Sequence, residues 1–156
     1  MDSTTEEYSA ALRDFLRLNK LWHRFIEFNE PVKTVEQAAR KVNIDQIAKS
    51  IILIDSEDLP LMAILPAEIR ISYKKLKALL SVRDVRLADE NEVLQFSGYP
   101  VGGVPPFNNV KRALLDLQVL KNTTAIVGGG DVNKLLELRT ADIVEIVKPI
   151  VADLTL

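Results

Sequence analysis

Two stretches near the middle of the chain limit its folding most. Lys49-Ser-Ile-Ile-Leu-Ile-Asp55, with four aliphatic residues in succession, and Pro60-Leu-Met-Ala-Ile-Leu65 are nearly continuous apolar runs separated by polar Ser56-Glu-Asp58. Runs without polar alternation cannot turn one face to water, so they read as a buried hairpin at the centre of a sheet.

Around that hairpin the helix signals are local. Tyr8, Ala11, Leu12, Phe15, Leu16 and Leu18 recur at helical spacing behind an acidic, capped start at Thr4, Thr5, Glu6 and Glu7, which predicts an amphipathic helix within residues 1–20. Thr34 with Gln37 predicts a capping box that opens a helix through Val42, burying Val35, Ala38, Ala39 and Val42. Ser72 predicts the start of a helix to Leu80, and Asp89 with Glu92 opens another that stops at Gly98, a residue suited to a left-handed C-terminus. Strands are predicted at His23–Phe28, Thr123–Val127 and Leu135–Leu138, a last helix from Thr140, and an edge strand at Pro149–Asp153. Helices and strands alternate irregularly about a central hairpin. The expected class is therefore α+β, a single domain over residues 1–156 with a mixed central β-sheet surrounded by helices.

A length of 156 residues with 47% hydrophobic content supplies one domain core. The apolar runs are far shorter than the ~20 residues of a membrane span, and Met1–Glu7 lacks the basic flank and apolar stretch of a secretory signal. No membrane contact and a cytoplasmic location are expected. The chain has no cysteine, which removes disulfides, thiolate nucleophiles and cysteine-based metal sites. Its one histidine, His23, excludes a multi-histidine metal centre and reads as a structural strand residue. No metal and no cofactor are expected. A formal net charge of -2 leaves any nucleic-acid contact to local basic stripes.

All six glycines fall in two clusters, Gly98, Gly102 and Gly103 in one, Gly128, Gly129 and Gly130 in the other. The first, Gly98-Tyr-Pro-Val-Gly-Gly-Val-Pro-Pro-Phe107, mixes residues free to take positive φ with prolines that lock it, making a stiff loop with bare backbone. It reads equally as a structural turn or as a binding loop whose amides at Gly102, Gly103 and Val104 approach a ligand. The triple glycine lacks the ending of a P-loop, and Asn133 stands where a dinucleotide fingerprint needs glycine, so it reads first as a tight bend against another backbone. Lys49 is a lone cation at the start of an apolar strand. It is either a snorkelling edge residue or an ammonium strengthened by apolar walls.

In this order, the His23–Arg40 segment, Gln46-Ile-Ala-Lys-Ser50, the glycine and proline loop, the triple glycine and Leu138-Arg-Thr-Ala-Asp142 resemble the YbaK/prolyl-tRNA synthetase-associated editing domains over residues 22–153. That resemblance implies a partly barrel-like sheet and a metal-independent hydrolase that removes a mischarged amino acid from tRNA in trans. Lys49 matches the family's essential lysine, and Gly102 with Pro106 its glycine-x-x-x-proline loop. By the same resemblance Lys49 holds the terminal nucleotide or ester, amides near Gly102 and Gly103 orient the substrate or stabilise the oxyanion, and the neighbouring ribose hydroxyl helps activate water. Ser50, Val104, Pro106, Gly128, Gly129 and Gly130 are the implied substrate-binding residues; Tyr99 and Phe107, which flank the loop, read either as further substrate contacts lining the pocket or stacking on the terminal adenine, or as aromatics packed under a proline-rich loop. Two positions depart from the family pattern. Asn108 stands where many relatives carry glycine, in a turn that asparagine can preserve by taking a left-handed conformation, and Asp131-Val-Asn-Lys134 lacks the basic-glycine pattern of some trans-editing members.

The implied partner is the acceptor end of an aminoacyl-tRNA, with an aminoacyl-tRNA synthetase as a second partner and a monomer or homodimer as the assembly. Six basic residues against one acid between Arg70 and Arg86 make Lys74, Lys75 and Lys77 candidate tRNA contacts, although such a run also reads as a solvated helix face. Arg13 and Arg17 form a weaker stripe on the first helix. The competing reading is a noncatalytic module that grips a tRNA end or nucleotide with the same fold.

Overall fold

The computed structural model describes residues 7–156, so the predicted cap at Thr4, Thr5 and Glu6 lies outside the described residues. The chain runs α1 (Glu7–Leu18), β1 (His23–Glu27), α2 (Val35–Ala38), β2 (Ala48–Asp55) and β3 (Pro60–Pro66). It continues through α3 (Tyr73–Leu80), β4 (Val85–Leu87), α4 (Glu90–Ser97), β5 (Ala113–Asp116), β6 (Thr124–Gly129), β7 (Asp131–Arg139), α5 (Thr140–Val147) and β8 (Ile150–Ala152).

The apolar hairpin is central, as its composition demands. β2 and β3 pair antiparallel with Lys49 opposite Leu65 and Leu53 opposite Leu61. β4 adds antiparallel to β2, while β5 and β8 extend the other side in parallel, giving a mixed five-stranded sheet of order β4-β2-β3-β5-β8. β8 is an edge strand, as expected. The α+β class with a mixed sheet is what the pattern predicts, but β1, β7 and β6 form a separate antiparallel sheet of three strands, and no barrel closes. The two sheets meet where Ile47 bridges Ile126.

One core serves both sheets. Leu12 and Leu16 of α1 pack with Ile52, Met62 and Ile64 of one sheet and Val127, Leu136 and Leu138 of the other. Each such buried aliphatic side chain contributes about 1.5–3 kcal/mol. The outer face of the five-stranded sheet presents Leu53, Leu61 and Leu65, which α3 covers through Leu76. A small third cluster joins Ile26, Ala38, Ile126 and Leu135, setting α2 against the three-stranded sheet.

Local signals account for most helix ends. Asp89 and Glu92 form the predicted capping box, and α4 stops at Gly98 with φ 85°. Ser72 accepts the Lys75 amide at the start of α3. The Thr34–Gln37 box is also present, yet α2 is one turn long and does not reach Val42. Ala39 is exposed rather than buried, and Asn43 caps a separate short turn over Ile44–Gln46 that carries Ile47 to β6. β4 and β5 went unpredicted because three and four residues are too few to carry a period. Among the described residues no helix is long and apolar enough to cross a membrane.

Candidate active site

Lys49 and Ser50 of β2, Gly102 and Val104 of the glycine and proline loop, Gly128 of β6 and Thr34 at the head of α2 line one cleft of about 280 Å³. The rest of its lining is mainly aliphatic, including Val35, Ala38, Ile126 and Leu135, and contains no carboxylate. The cleft lies where β2 leaves its pairing partners. β4 covers β2 only from Leu53 to Asp55, so the Lys49 end has β3 on one side and approaches β6 on the other.

A polar relay fixes the segment just before Lys49. Gln46 Nε2 donates to Thr124 Oγ1 at 2.7 Å, Thr124 Oγ1 donates to Glu137 Oε2 at 2.8 Å, and Arg24 Nε donates to Glu137 Oε1 at 2.9 Å. Burial pushes the Glu137 carboxyl up, but the Thr124 and Arg24 bonds outweigh it and hold the group ionised below its ordinary range. This chain of side chains anchors β2's approach to the second sheet, and with it the amine of Lys49.

Lys49 is half-buried and its amine makes no hydrogen bond or ion pair within the described residues. Desolvation lowers its pKa from the ordinary lysine value. Beside it the Ser50 hydroxyl is buried without a partner, a condition that costs about 1–3 kcal/mol. A lysine ammonium left unpaired beside an aliphatic cleft is suited to an anionic or ester oxygen arriving from outside.

The two glycine clusters prove to be one feature. The Gly103 amide donates to the Pro100 carbonyl at 2.9 Å, closing a turn in which Gly102 takes φ 89°. The Gly130 amide donates to the Gly103 carbonyl at 2.8 Å, so the loop is bonded to the end of β6. A Cβ on Gly128 would lie 2.4 Å from the Val104 oxygen, and one on Gly103 only 2.2 Å from the Gly130 oxygen. These glycines exist so that two backbones can touch, which is the bend reading of the triple glycine.

The amides of Gly102 and Val104 make no hydrogen bond within the described residues, whereas the Gly103 amide is committed to its turn and has no donor to offer. Asn108 does not take the expected left-handed conformation. Instead its side chain spans the loop, donating to the Pro105 carbonyl and accepting from the Val110 amide, both at 2.8 Å.

Other candidates from the sequence lie elsewhere. Gly103, Gly129 and Gly130 are not on the cleft lining. A Cβ on Gly129 would meet Lys134, and one on Gly130 the backbone of Tyr8 and Ser9 in α1. Tyr99, Pro106 and Phe107 line a second depression of about 410 Å³ with Phe15 and Lys111. There Phe107 packs on Phe15 at 5.1 Å and Tyr99 on Tyr8 at 6.1 Å, so both aromatics brace α1 under the loop.

Lys74, Lys75 and Lys77 sit on α3, on the outer face of the five-stranded sheet, and none lines the cleft. Lys75 is held by Asp153 at 2.6 Å and by the Thr155 carbonyl. Sequence reasoning missed Thr34, Val35, Ala38 and Leu135 as cleft residues. Thr34 was legible as a cap, but nothing in its spacing says what lies opposite it.

The profile of the aminoacyl-tRNA editing domain family matches residues 29–146. A proline--tRNA ligase of Thermosipho africanus is 32% identical over 101 residues, which is 63% of this chain and 18% of that ligase, so the chain spans less than a fifth of its length. An uncharacterized Bacillus subtilis protein, YwhH, is 29% identical over 131 residues, covering 80% of this chain and 83% of that protein. Among solved structures, hypothetical protein APE2540 superposes with a TM-score of 0.83 at 31% identity across 93% of this chain and 99% of its own. A structure presented as a candidate trans-editing enzyme for prolyl tRNA synthetase superposes with a TM-score of 0.85 at 22% identity, covering 96% of this chain and 98% of its own, a likeness of fold.

Proposed function

The chain belongs to the aminoacyl-tRNA editing domain family, and from that premise we propose that it hydrolyses, in trans, the ester joining a mischarged amino acid to the 3′ end of a tRNA. The observation that carries the reading is that Lys49, whose amine has no partner, lines one aliphatic cleft with Gly102 and Val104, whose amides are unengaged among the described residues. A desolvated ammonium and preorganised peptide donors are worth most where charge develops on an ester oxygen.

In this mechanism water adds to the ester carbonyl. Charge gathers on the carbonyl oxygen, which the Gly102 and Val104 amides and the Lys49 ammonium receive. The intermediate then collapses, the carbonyl carbon to ribose oxygen bond breaks, and the proton released by the water passes to the departing ribose oxygen. The neighbouring ribose hydroxyl assists the water, so the protein supplies position and electrostatics rather than a titrating base. Ser50 offers its unpartnered hydroxyl to the substrate, and Gly103 holds the turn on which the donors sit. Lys74 and Lys77 are available for stem phosphates.

The test is to incubate the protein with a panel of aminoacyl-tRNAs, including alanyl- and cysteinyl-tRNA for proline, and to follow loss of the ester. At least one member is deacylated well above its spontaneous rate, and Lys49→Met lowers that rate about 100-fold or more. The same variant unfolds at a midpoint no lower than the parent, because it removes a half-buried charge that has no partner. As pH rises through the depressed Lys49 pKa the ammonium is lost, so the Lys49-dependent part of the rate falls before an ordinary lysine would titrate. Undiminished turnover in Lys49→Met would overturn the assignment; saturable tRNA binding without cleavage would replace it with the noncatalytic module.

A further inference from the structure

An aromatic and basic surface at the far end of β7 takes no part in the cleft. Trp22, the chain's one tryptophan, is 40% exposed, and the Arg139 guanidinium lies 5.6 Å from its ring centroid. Arg139 is itself exposed and makes no ion pair among the described residues. In the β1–β7 ladder His23 faces Leu138 and Arg24 faces Glu137, which brings Trp22 beside Arg139 at its end. Glu137, the carboxylate on this strip, is neutralised by Arg24.

The strip shares a face with the candidate active site. Side chains alternate along a strand, so Leu135, Glu137 and Arg139 point to the same side of β7. Leu135 lines the cleft. Arg139 stands four residues further on, ~13 Å along the strand at ~3.3 Å per residue. An exposed indole backed by an unpaired guanidinium suits single-stranded nucleic acid: a base stacks on the ring, and the planar cation takes a phosphate or caps the stack.

We propose that Trp22 and Arg139 form a stacking platform for the unpaired 3′ strand of tRNA, which runs along the β7 face toward the cleft. The proposal rests on the editing reading above and adds a surface to it. The span agrees, since ~13 Å accommodates about four nucleotides at the ~3.4 Å spacing of a stacked strand. Arg24 acts as a positioning residue that keeps Glu137 from repelling the phosphates.

Because Trp22 is unique, its fluorescence reports contact directly. Titration with deacylated tRNA quenches the emission saturably, and the same tRNA trimmed of its unpaired 3′ nucleotides does not. Trp22→Ala raises KM for deacylation about tenfold with kcat held, while Trp22→Phe, which can still stack, stays within about twofold of the parent. Arg139→Gln reduces the salt dependence of binding by about one phosphate contact. Unchanged Trp22 emission with a tRNA whose charged form is deacylated overturns the platform and leaves the editing function intact. A loss in kcat rather than KM, shared by Trp22→Phe, also overturns it, as the mark of a structural role. Absence of both deacylation and tRNA binding overturns the editing reading and the platform with it.

Discussion

Adding one carbon at Gly102 or at Gly128 probes two different physical demands. Gly102 has φ 89° with its nearest neighbour, Val132 Cγ1, 4.0 Å from a built Cβ, so Gly102→Ala meets backbone strain in open space. It costs about 1–2 kcal/mol, and under the proposed function deacylation falls as the turn beside the cleft shifts. Gly128→Ala has no conformational penalty of that kind but drives its Cβ into the Val104 carbonyl, so the loop must leave the sheet. About 3 kcal/mol is lost there, and denaturant unfolding separates the two; equal midpoints would contradict the contact between the glycine clusters. The clustering was visible in the residue order, and so were Lys49 and the bare loop as candidates. The turn that takes the Gly103 amide is local, and aromatics beside a proline-rich loop are expected to pack under it, as Tyr99 and Phe107 do against α1. That the Gly130 amide reaches the Gly103 carbonyl and Gly128 lies against Val104 depends on backbone approach between distant segments and carries no signature in either loop.

At the scale of elements, α2 and α4 begin with the same capping box and end differently. α4 buries Val93 and Ser97 and continues until Gly98 turns left-handed. α2 buries Ala38 alone, so its cap opens one turn and tertiary packing supports no more. The α4 box also makes a pH prediction. The Arg86 guanidinium, then the Asp89 amide, hold the Glu92 carboxyl down to about 2 against an ordinary 4.5. Its folded pKa lies below the unfolded one, so its stabilising contribution is complete above pH 4.5 and disappears as pH falls toward 2. Glu92→Gln therefore flattens the fall in stability across that window. Urea midpoints of parent and variant at pH 7 and pH 3 measure it, and parallel losses in the two proteins would contradict it.

For the whole molecule, the first helix matters more than the family match suggests. The matched region begins at residue 29, yet Leu12 and Leu16 are fully buried in the core that joins both sheets, and a Cβ on Gly130 would meet the α1 backbone at 2.9 Å. Leu16→Ala should cost about 3 kcal/mol and lower the thermal midpoint by several degrees, while Leu18→Ala, at an 82% exposed residue, leaves it unchanged. Similar midpoints for the two variants would place α1 outside the cooperative fold. The amino-acid sequence by itself determined the central hairpin, the caps of α2, α3 and α4 and the edge strand, because each rests on burial patterns or on hydrogen bonds spanning a few residues. It also nominated Lys49 and the glycine loop. Only the tertiary structure decided that the strands divide between two sheets and that Lys49 shares a cleft with Gly102 and Val104. Those outcomes follow from strand register and from the contact of remote backbones, which act across the chain rather than along it.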